Sequence, residues 1–458
     1  MAKDTTRYVC QSCGGVQLKW TGKCPACGEW NTLVEELVKG SAVGGGTKKA
    51  NAPRGASGAS PITAVQTEAL PRIPTRLQEL DRVLGGGAVP GGVVLVGGDP
   101  GVGKSTLLLQ AMASMASRGS RALYVAGEEA ASQVAARARR LGVLTDNLLV
   151  LPSNDCEEIE SAVKAEKPAV MVIDSVQTVR VAGLTSAAGT VSQLREVAGR
   201  MVDLAQRGNT ATFLVGHVTK DGQLAGPKVL EHLVDAVLSF EGERGAAFRA
   251  LRVTKNRFGS STEVGLFEMT PEGMREVTQP SALFLAERPQ RASGSVVGAT
   301  SEGARSLLVE VQALVGPPGL GTPRRTTTGV DSGRLAMLLA VLARRASCDM
   351  GACDVFVNVA GGMRIEEPAL DLPVALAIAS SYRDRPFPID TVAFGEVGLA
   401  GEVRNVPRAN ARIAEARAMG FRRVLLPHSS ADRLTSDERE GIDVIPIRTL
   451  EVALDELL

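Results

Sequence analysis

The chain has 458 residues, enough for about three domains at roughly 150 residues each, and 44% are hydrophobic, which excludes a disordered tail or a disulfide-stapled miniprotein. Lys and Arg number 51 against 50 Asp and Glu, a formal charge of +1, so any affinity for nucleic acid must come from local patches and not from a bulk basic field. Aromatics at 3% beside 50 glycines point to an α/β enzyme with glycine-rich loops and away from an aromatic-rich sandwich.

The first residues, MAKDTTRYVCQSC, lack an apolar run suited to a secretory signal, and no stretch approaches the roughly 20 apolar residues that span a bilayer. A cytoplasmic protein without membrane attachment is expected. Four of the seven cysteines fall in two pairs, Cys10-x-x-Cys13 and Cys24-x-x-Cys27, each followed by a glycine, Gly14 and Gly28, that relieves a tight turn. Two thiolate pairs complete a tetrahedral shell at Zn–S distances of about 2.3 Å, so these four residues are expected to hold a structural Zn²⁺. Trp20 and Trp30 flank the second pair and are expected to pack into the small core. Cys156, Cys348 and Cys353 read as buried or idle thiols.

After Val38 the composition changes to KGSAVGGGTKKANAPRGASGASP, a tether poor in large apolar residues. The expected organisation is a zinc module at 1–38, a linker at 39–70, an α/β domain at 71–288, a second linker at 289–305 and a C-terminal domain at 306–458. From Pro71 onward, the runs VVLVGG, ALYVAG, VMVID and TFLVGH alternate with helical stretches, as in a parallel sheet covered on both faces. Near Ser306 a fresh strand, SLLVEVQALV, opens an α+β or α/β region that runs to Leu458.

Gly98-Asp99-Pro100-Gly101-Val102-Gly103-Lys104-Ser105 fits GxxxxGK[ST], follows the strand VVLVG and, continuing through Thr106, opens a helix. Its backbone N–H groups and the helix N-terminus would cradle the phosphates of ATP, with Lys104 on the β and γ oxygens and Ser105 on Mg²⁺. Asp174 ends VMVID, placed to hold the hydration shell of Mg²⁺ beside Ser105. Hydrolysis also needs a carboxylate for the attacking water, and ALYVAGEEA brings Glu128 and Glu129 to the same sheet edge; Glu128 is the chosen base. His217, at the end of TFLVGH, is expected to sense the γ-phosphate.

With these residues in place, the chain resembles the RadA/Sms family of bacterial DNA-repair ATPases over nearly its full length. The resemblance rests on CQSCGG…GKCPACGEWNTLVEE, TRLQELDRVLGGGAVPGG before the phosphate loop, YVAGEEA, and the pentapeptide Lys255-Asn256-Arg257-Phe258-Gly259. It implies a RecA-like core that places ATP between the subunits of a ring, a hexamer, with Lys255 and Arg257 reaching the γ-phosphate of a neighbour. It also implies contacts to single-stranded and branched DNA from loops near the ring's centre, with Arg180, Lys220 and Lys228 as candidates, and the recombinase RecA as a partner.

The C-terminal region is similar to the proteolytic domain of Lon, except that Val374 and Asn410 stand where that family has its nucleophilic Ser and its Lys, so peptidase chemistry is expected to be absent. Arg324, Arg325, Arg344, Arg345, Arg404, Arg408 and Arg412 are then expected as surface cations available to duplex DNA. The implied function is a DNA-stimulated ATPase that tracks along single-stranded DNA and extends recombination intermediates. The alternatives are an ATP-dependent peptidase and a non-motor nucleotide switch that binds protein partners.

Overall fold

The computed structural model describes residues 5–10, 14–38, 71–117, 119–216, 229–242, 248–317, 322–361, 365 and 367–457. The chain divides into two compact units, Met1–Glu241 with Leu251–Ser261 and Met269–Arg275, and Gly242–Ala250 with Thr262–Glu268 and Glu276–Leu458.

The amino-terminal module is a three-stranded antiparallel sheet, β1 (Thr5–Cys10), β2 (Val16–Gln17) and β3 (Leu33–Val38), in the order β2-β1-β3. Its small core is Val9, Cys10, Cys24 and Leu33. The tryptophans are not part of it, contrary to the sequence expectation: Trp20 is 55% and Trp30 68% exposed, and their rings flank Gly22 on the surface. The core is filled by the buried Cys10 and Cys24 with Val9 and Leu33.

In the first unit α1 (Gln78–Leu84) precedes β4 (Val93–Gly98), all six of whose residues are buried. There follow α2 (Lys104–Ala116), β5 (Ala122–Ala126), α3 (Ala131–Arg140), β6 (Leu148–Leu151), α4 (Cys156–Glu166), β7 (Val170–Asp174), α5 (Val191–Gly208), β8 (Ala211–Val215), α6 (Val229–Leu233) and β9 (Ala236–Glu241). The strands β9-β4-β8-β7-β5-β6 pair in parallel, which explains why their sequences are apolar runs without alternation. β10 (Phe248–Asn256), β11 (Val264–Thr270) and β12 (Gly273–Glu276) follow in the chain, their residues divided between the two units. Because the core strands all run one way, the loops after β4, β5, β7 and β8 emerge at one edge. One face packs on a core of Leu95, Val125, Ile173, Leu214, Ile159 and Leu194. Asp155 caps α4 by accepting from the backbone N–H groups of Glu157 at 2.9 Å and Glu158 at 3.3 Å.

The second unit adds α7 (Pro280–Leu285), β13 (Ser295–Glu302), β14 (Arg305–Gly316), β15 (Arg325–Thr328), α8 (Ser332–Arg345), β16 (Asp354–Val359), α9 (Asp371–Arg383), β17 (Thr391–Ala393), β18 (Glu396–Val397), β19 (Val403–Arg404), α10 (Ala409–Ala418), β20 (Arg423–Pro427) and β21 (Asp443–Ile447). Its mixed sheet has the order β15-β16-β14-β13-β17-β20-β21. α9 is buried over Asp371–Ser380, which a short helix achieves only when packed on several sides.

Arg412 on α10 overturns its expected place on a DNA-facing surface. It is fully buried, paired with Glu367, bonded to the carbonyls of Ala299 at 2.6 Å and Pro407 at 3.2 Å, and its guanidinium carbon lies 5.5 Å over the centre of the Phe394 ring, a cation–π contact. Arg324 pairs with Asp354 and Arg404 with Glu402, whereas Arg344 and Arg345 are exposed at the end of α8. Val374 lines a cavity of about 300 Å³ beside Arg334 and Asp371, and Asn410 lines another of about 250 Å³ beside Arg408 and Arg433.

Candidate nucleotide and zinc sites

The two cysteine knuckles are built alike. Gly14 N–H donates to Cys10 O at 2.8 Å and Cys10 N–H to Gly15 O at 2.9 Å; Gly28 N–H donates to Cys24 O at 2.9 Å and Cys24 N–H to Glu29 O at 2.8 Å. Gly14 at φ 72° and Gly28 at φ 78° take the left-handed backbone that lets each turn close. Cys10, Cys24 and Cys27 bring their sulfurs within 4.8 Å of one another, and Cys10 Sγ lies 3.7 Å from Cys27 Sγ. A disulfide requires about 2.05 Å, whereas two sulfurs of a tetrahedral zinc–sulfur shell lie about 3.8 Å apart, so the donor set fits a zinc ion. Cys13, the fourth expected ligand, lies outside the described residues.

Both tryptophans of the chain, Trp20 and Trp30, sit in this module, so intrinsic tryptophan emission reports on it alone. Metal binding of this kind supplies about 10 kcal/mol or more of folding free energy. Stripping zinc with a strong chelator is therefore expected to change Trp emission in one transition while far-ultraviolet circular dichroism of the remaining chain is largely retained. Readdition of zinc should reverse it.

At the sheet edge, the loop after β4 passes directly into α2. Gly98 at φ 153° could carry no side chain, because a Cβ there would lie 2.4 Å from Phe240 O. Gly103 at φ 112° turns the chain so that α2 starts on Lys104. Lys104 is 4% exposed and its Nζ donates to Gly98 O at 2.7 Å and Asp99 O at 2.9 Å. Burial lowers its proton affinity, against the opposing pull of Asp174, Asp99 and Glu128.

Pro100, Gly101, Gly103, Lys104, Ser105 and Thr106 line a cavity of about 420 Å³, which Glu128, Glu129 and Asp174 line from the facing side. Val102 is buried beneath the loop. The turns after β5 and β7 are pressed together: Gly127 N–H donates to Asp174 O at 2.8 Å, and a Cβ on Gly127 would lie 2.3 Å from Thr178 Oγ1. That approach lets the fully buried Ser175 donate its hydroxyl hydrogen to Glu128.

Two participants escape sequence reading. Tyr124 donates its hydroxyl to Asp174 Oδ2 at 2.5 Å, and Arg137 pairs with Glu129 at 2.5 Å. Burial first, then the Asp174 charge and hydrogen bond, push the Tyr124 phenol well above its ordinary range, so it stays a donor. The register of β5 on β7 sets Ala126 opposite Asp174, which places Tyr124 on its diagonal. Both strands are buried along nearly their whole length, so no alternation in the sequence marks Tyr124 out, and only the strand register reveals it.

The remaining expected residues lie elsewhere. Lys255 donates to the carbonyls of Glu231 at 2.5 Å and Val234 at 2.7 Å; burial and then the Arg257 charge lower its proton affinity. Arg257 is 57% exposed and pairs with Asp235 at 3.4 Å. Neither lines the cavity of its own chain. Arg180 is exposed, at the start of a segment that the buried Gln193 fastens by bonding Val181 N–H at 2.9 Å and Ser186 O at 3.0 Å. His217, Lys220 and Lys228 lie outside the described residues.

A phosphate loop on a parallel sheet, faced by strand-end carboxylates and preceded by a zinc ribbon, defines an ATPase of the RecA-like class. Residues 59–223 match the family described as AAA domain, residues 8–35 the rubredoxin metal binding domain and residues 335–430 the subunit ChlI of Mg-chelatase. The DNA repair protein RadA of Pseudomonas aeruginosa is 50% identical, covering 100% of both chains. That of Bacillus subtilis is 46% identical over 99% of both, and that of Escherichia coli 45% over 99% of both. A KaiC-like protein from Pyrococcus horikoshii matches in structure with a TM-score of 0.39 and 21% identity, covering 45% of this chain and 99% of that one. The chain belongs to the RadA family of DNA repair proteins.

Proposed function

We propose that this chain is a DNA-stimulated ATPase of recombinational repair, working as a six-membered ring that tracks along single-stranded DNA and promotes branch migration. The observation that carries this reading is the split of the catalytic groups. Lys104, Ser105, Glu128 and Asp174 meet at one cavity, while the cations Lys255 and Arg257 stand apart from it. Cations that enter from a neighbouring subunit make hydrolysis depend on assembly.

In this reading Glu128, oriented by Ser175, activates water; Lys104 holds the β and γ oxygens; His217 passes nucleotide state to the DNA-facing segments. Ser105 and Asp174 would hold magnesium, which when bound neutralises charge on the phosphate oxygens. Residues 71–288 form the engine, and residues 306–458 a Lon-like scaffold without peptidase chemistry. The zinc module, on its tether, docks a protein partner, with RecA the proposed one. Arg180, Lys220 and Lys228 contact DNA phosphates, without sequence readout.

Steady-state hydrolysis with and without single-stranded DNA tests the reading, with Lys104→Ala as background. Strong stimulation that falls with added salt is expected. Absence of stimulation at low salt would replace the motor by a protein-regulated switch. Lys255→Ala and Arg257→Ala are expected to retain nucleotide binding and to lose about a hundredfold or more in turnover, as removal of an interfacial cation does. Full turnover in either variant would place that residue outside the reaction.

A further inference from the structure

Three carboxylates reach the nucleotide cavity: Asp174 from the end of β7, and Glu128 and Glu129 from the turn after β5. The two glutamates are chemically equal and adjacent in the chain, yet one water-activating base suffices for hydrolysis. Their anchors distinguish them. Glu128 accepts a hydrogen bond from Ser175, a neutral donor that orients a carboxylate without cancelling its charge. Glu129 is held by a full positive charge, with Arg137 Nη2 2.5 Å from its Oε1.

Arg137 lies two turns into α3, lines the same cavity and is 20% exposed. Its Nη1 is buried and has no hydrogen-bond partner among the described residues. The guanidinium is thus committed to Glu129 through a single contact and gains no second acceptor that would explain its burial as packing. A partly buried arginine with an unpaired nitrogen is costly, and a structural surface pair would more simply remain in water.

We infer that Arg137 is a positioning residue: it neutralises Glu129 and draws it aside, leaving Glu128 as the carboxylate that activates water. Without Arg137, Glu129 becomes an uncompensated anion beside Asp174 and Glu128. It then repels the incoming triphosphate and competes with Glu128 for the water. The inference rests on the hydrolytic reading of the site.

The test is a charge-rescue cycle read as kcat and KM for ATP in the full-length, zinc-replete protein. Arg137→Gln is expected to lower kcat about tenfold or more, and Glu129→Gln by no more than about threefold, since a neutralised glutamate resembles glutamine in charge. The double variant Arg137→Gln/Glu129→Gln should recover to about the level of Glu129→Gln, and Arg137→Lys should keep most of the turnover. A merely structural Arg137 gives no such recovery. Overturning results are a double variant as impaired as Arg137→Gln, or Glu129→Gln as inactive as Lys104→Ala, which would make Glu129 the base. Normal turnover by the unmodified chain with no recovery in the double variant overturns this inference alone. Unmodified turnover no higher than Lys104→Ala removes the hydrolytic reading as well.

Discussion

Lys104→Ala should abolish ATP turnover and weaken nucleotide binding by about a hundredfold or more, the scale on which a preorganised charged contact in a closed site is lost. The reason lies in the surroundings of the ammonium group. It is 4% exposed, bonds the carbonyls of Gly98 and Asp99, and stands within the field of Asp174, Asp99 and Glu128. Its removal unfastens the loop and leaves acidic groups facing the phosphates without that cation. Glu128→Gln is the contrasting variant: the Ser175 hydroxyl can still bond the amide oxygen, so binding should persist while hydrolysis falls by about 10²- to 10⁴-fold. Binding titrations with a fluorescent nucleotide, beside phosphate-release rates, separate the two. A Lys104→Ala protein that binds and hydrolyses normally would remove the phosphate loop from the function.

The parts of this site that sequence reveals are those whose chemistry is contiguous. Gly98 to Ser105 carries its strand, glycines, lysine and hydroxyl in one stretch, and the cysteine pairs carry their own turns. Asp174 and Glu128 were legible for a related reason: each ends an apolar run, and in a parallel sheet strand ends share an edge. Tyr124 and Arg137 were not, because their importance arises from partners, Asp174 and Glu129, that they meet through strand register and helix phase. Trp20, Trp30 and Arg412 show the same limit in reverse. Residue type argues for buried indoles and an exposed guanidinium, and the packing places each the other way.

Arg412→Ala is expected to destabilise the second unit by about 3–5 kcal/mol, the cost of breaking a buried ion pair by removing one partner. Glu367 also accepts from Thr300 Oγ1 at 2.9 Å and Ser301 N at 2.6 Å, so its carboxylate is locked in place and cannot turn to water when the guanidinium is lost. The carbonyls of Ala299 and Pro407 lose their donor as well, and the Phe394 ring loses its cation–π partner. At this domain size the loss corresponds to a fall of roughly 10 °C in melting temperature. Tryptophan emission is blind to it, since both tryptophans lie in the zinc module; hydrogen exchange of amides in α10 and β13 is the suitable measurement. Replacing the pair together, Arg412→Met with Glu367→Leu, should recover part of the stability, because no charge is then left buried alone. The recovery is incomplete, as the donors on Thr300 and Ser301 and the carbonyl of Ala299 remain unpaired. An Arg412→Ala protein as stable as the unmodified chain would show that water reaches the Glu367 carboxylate from its partly exposed side.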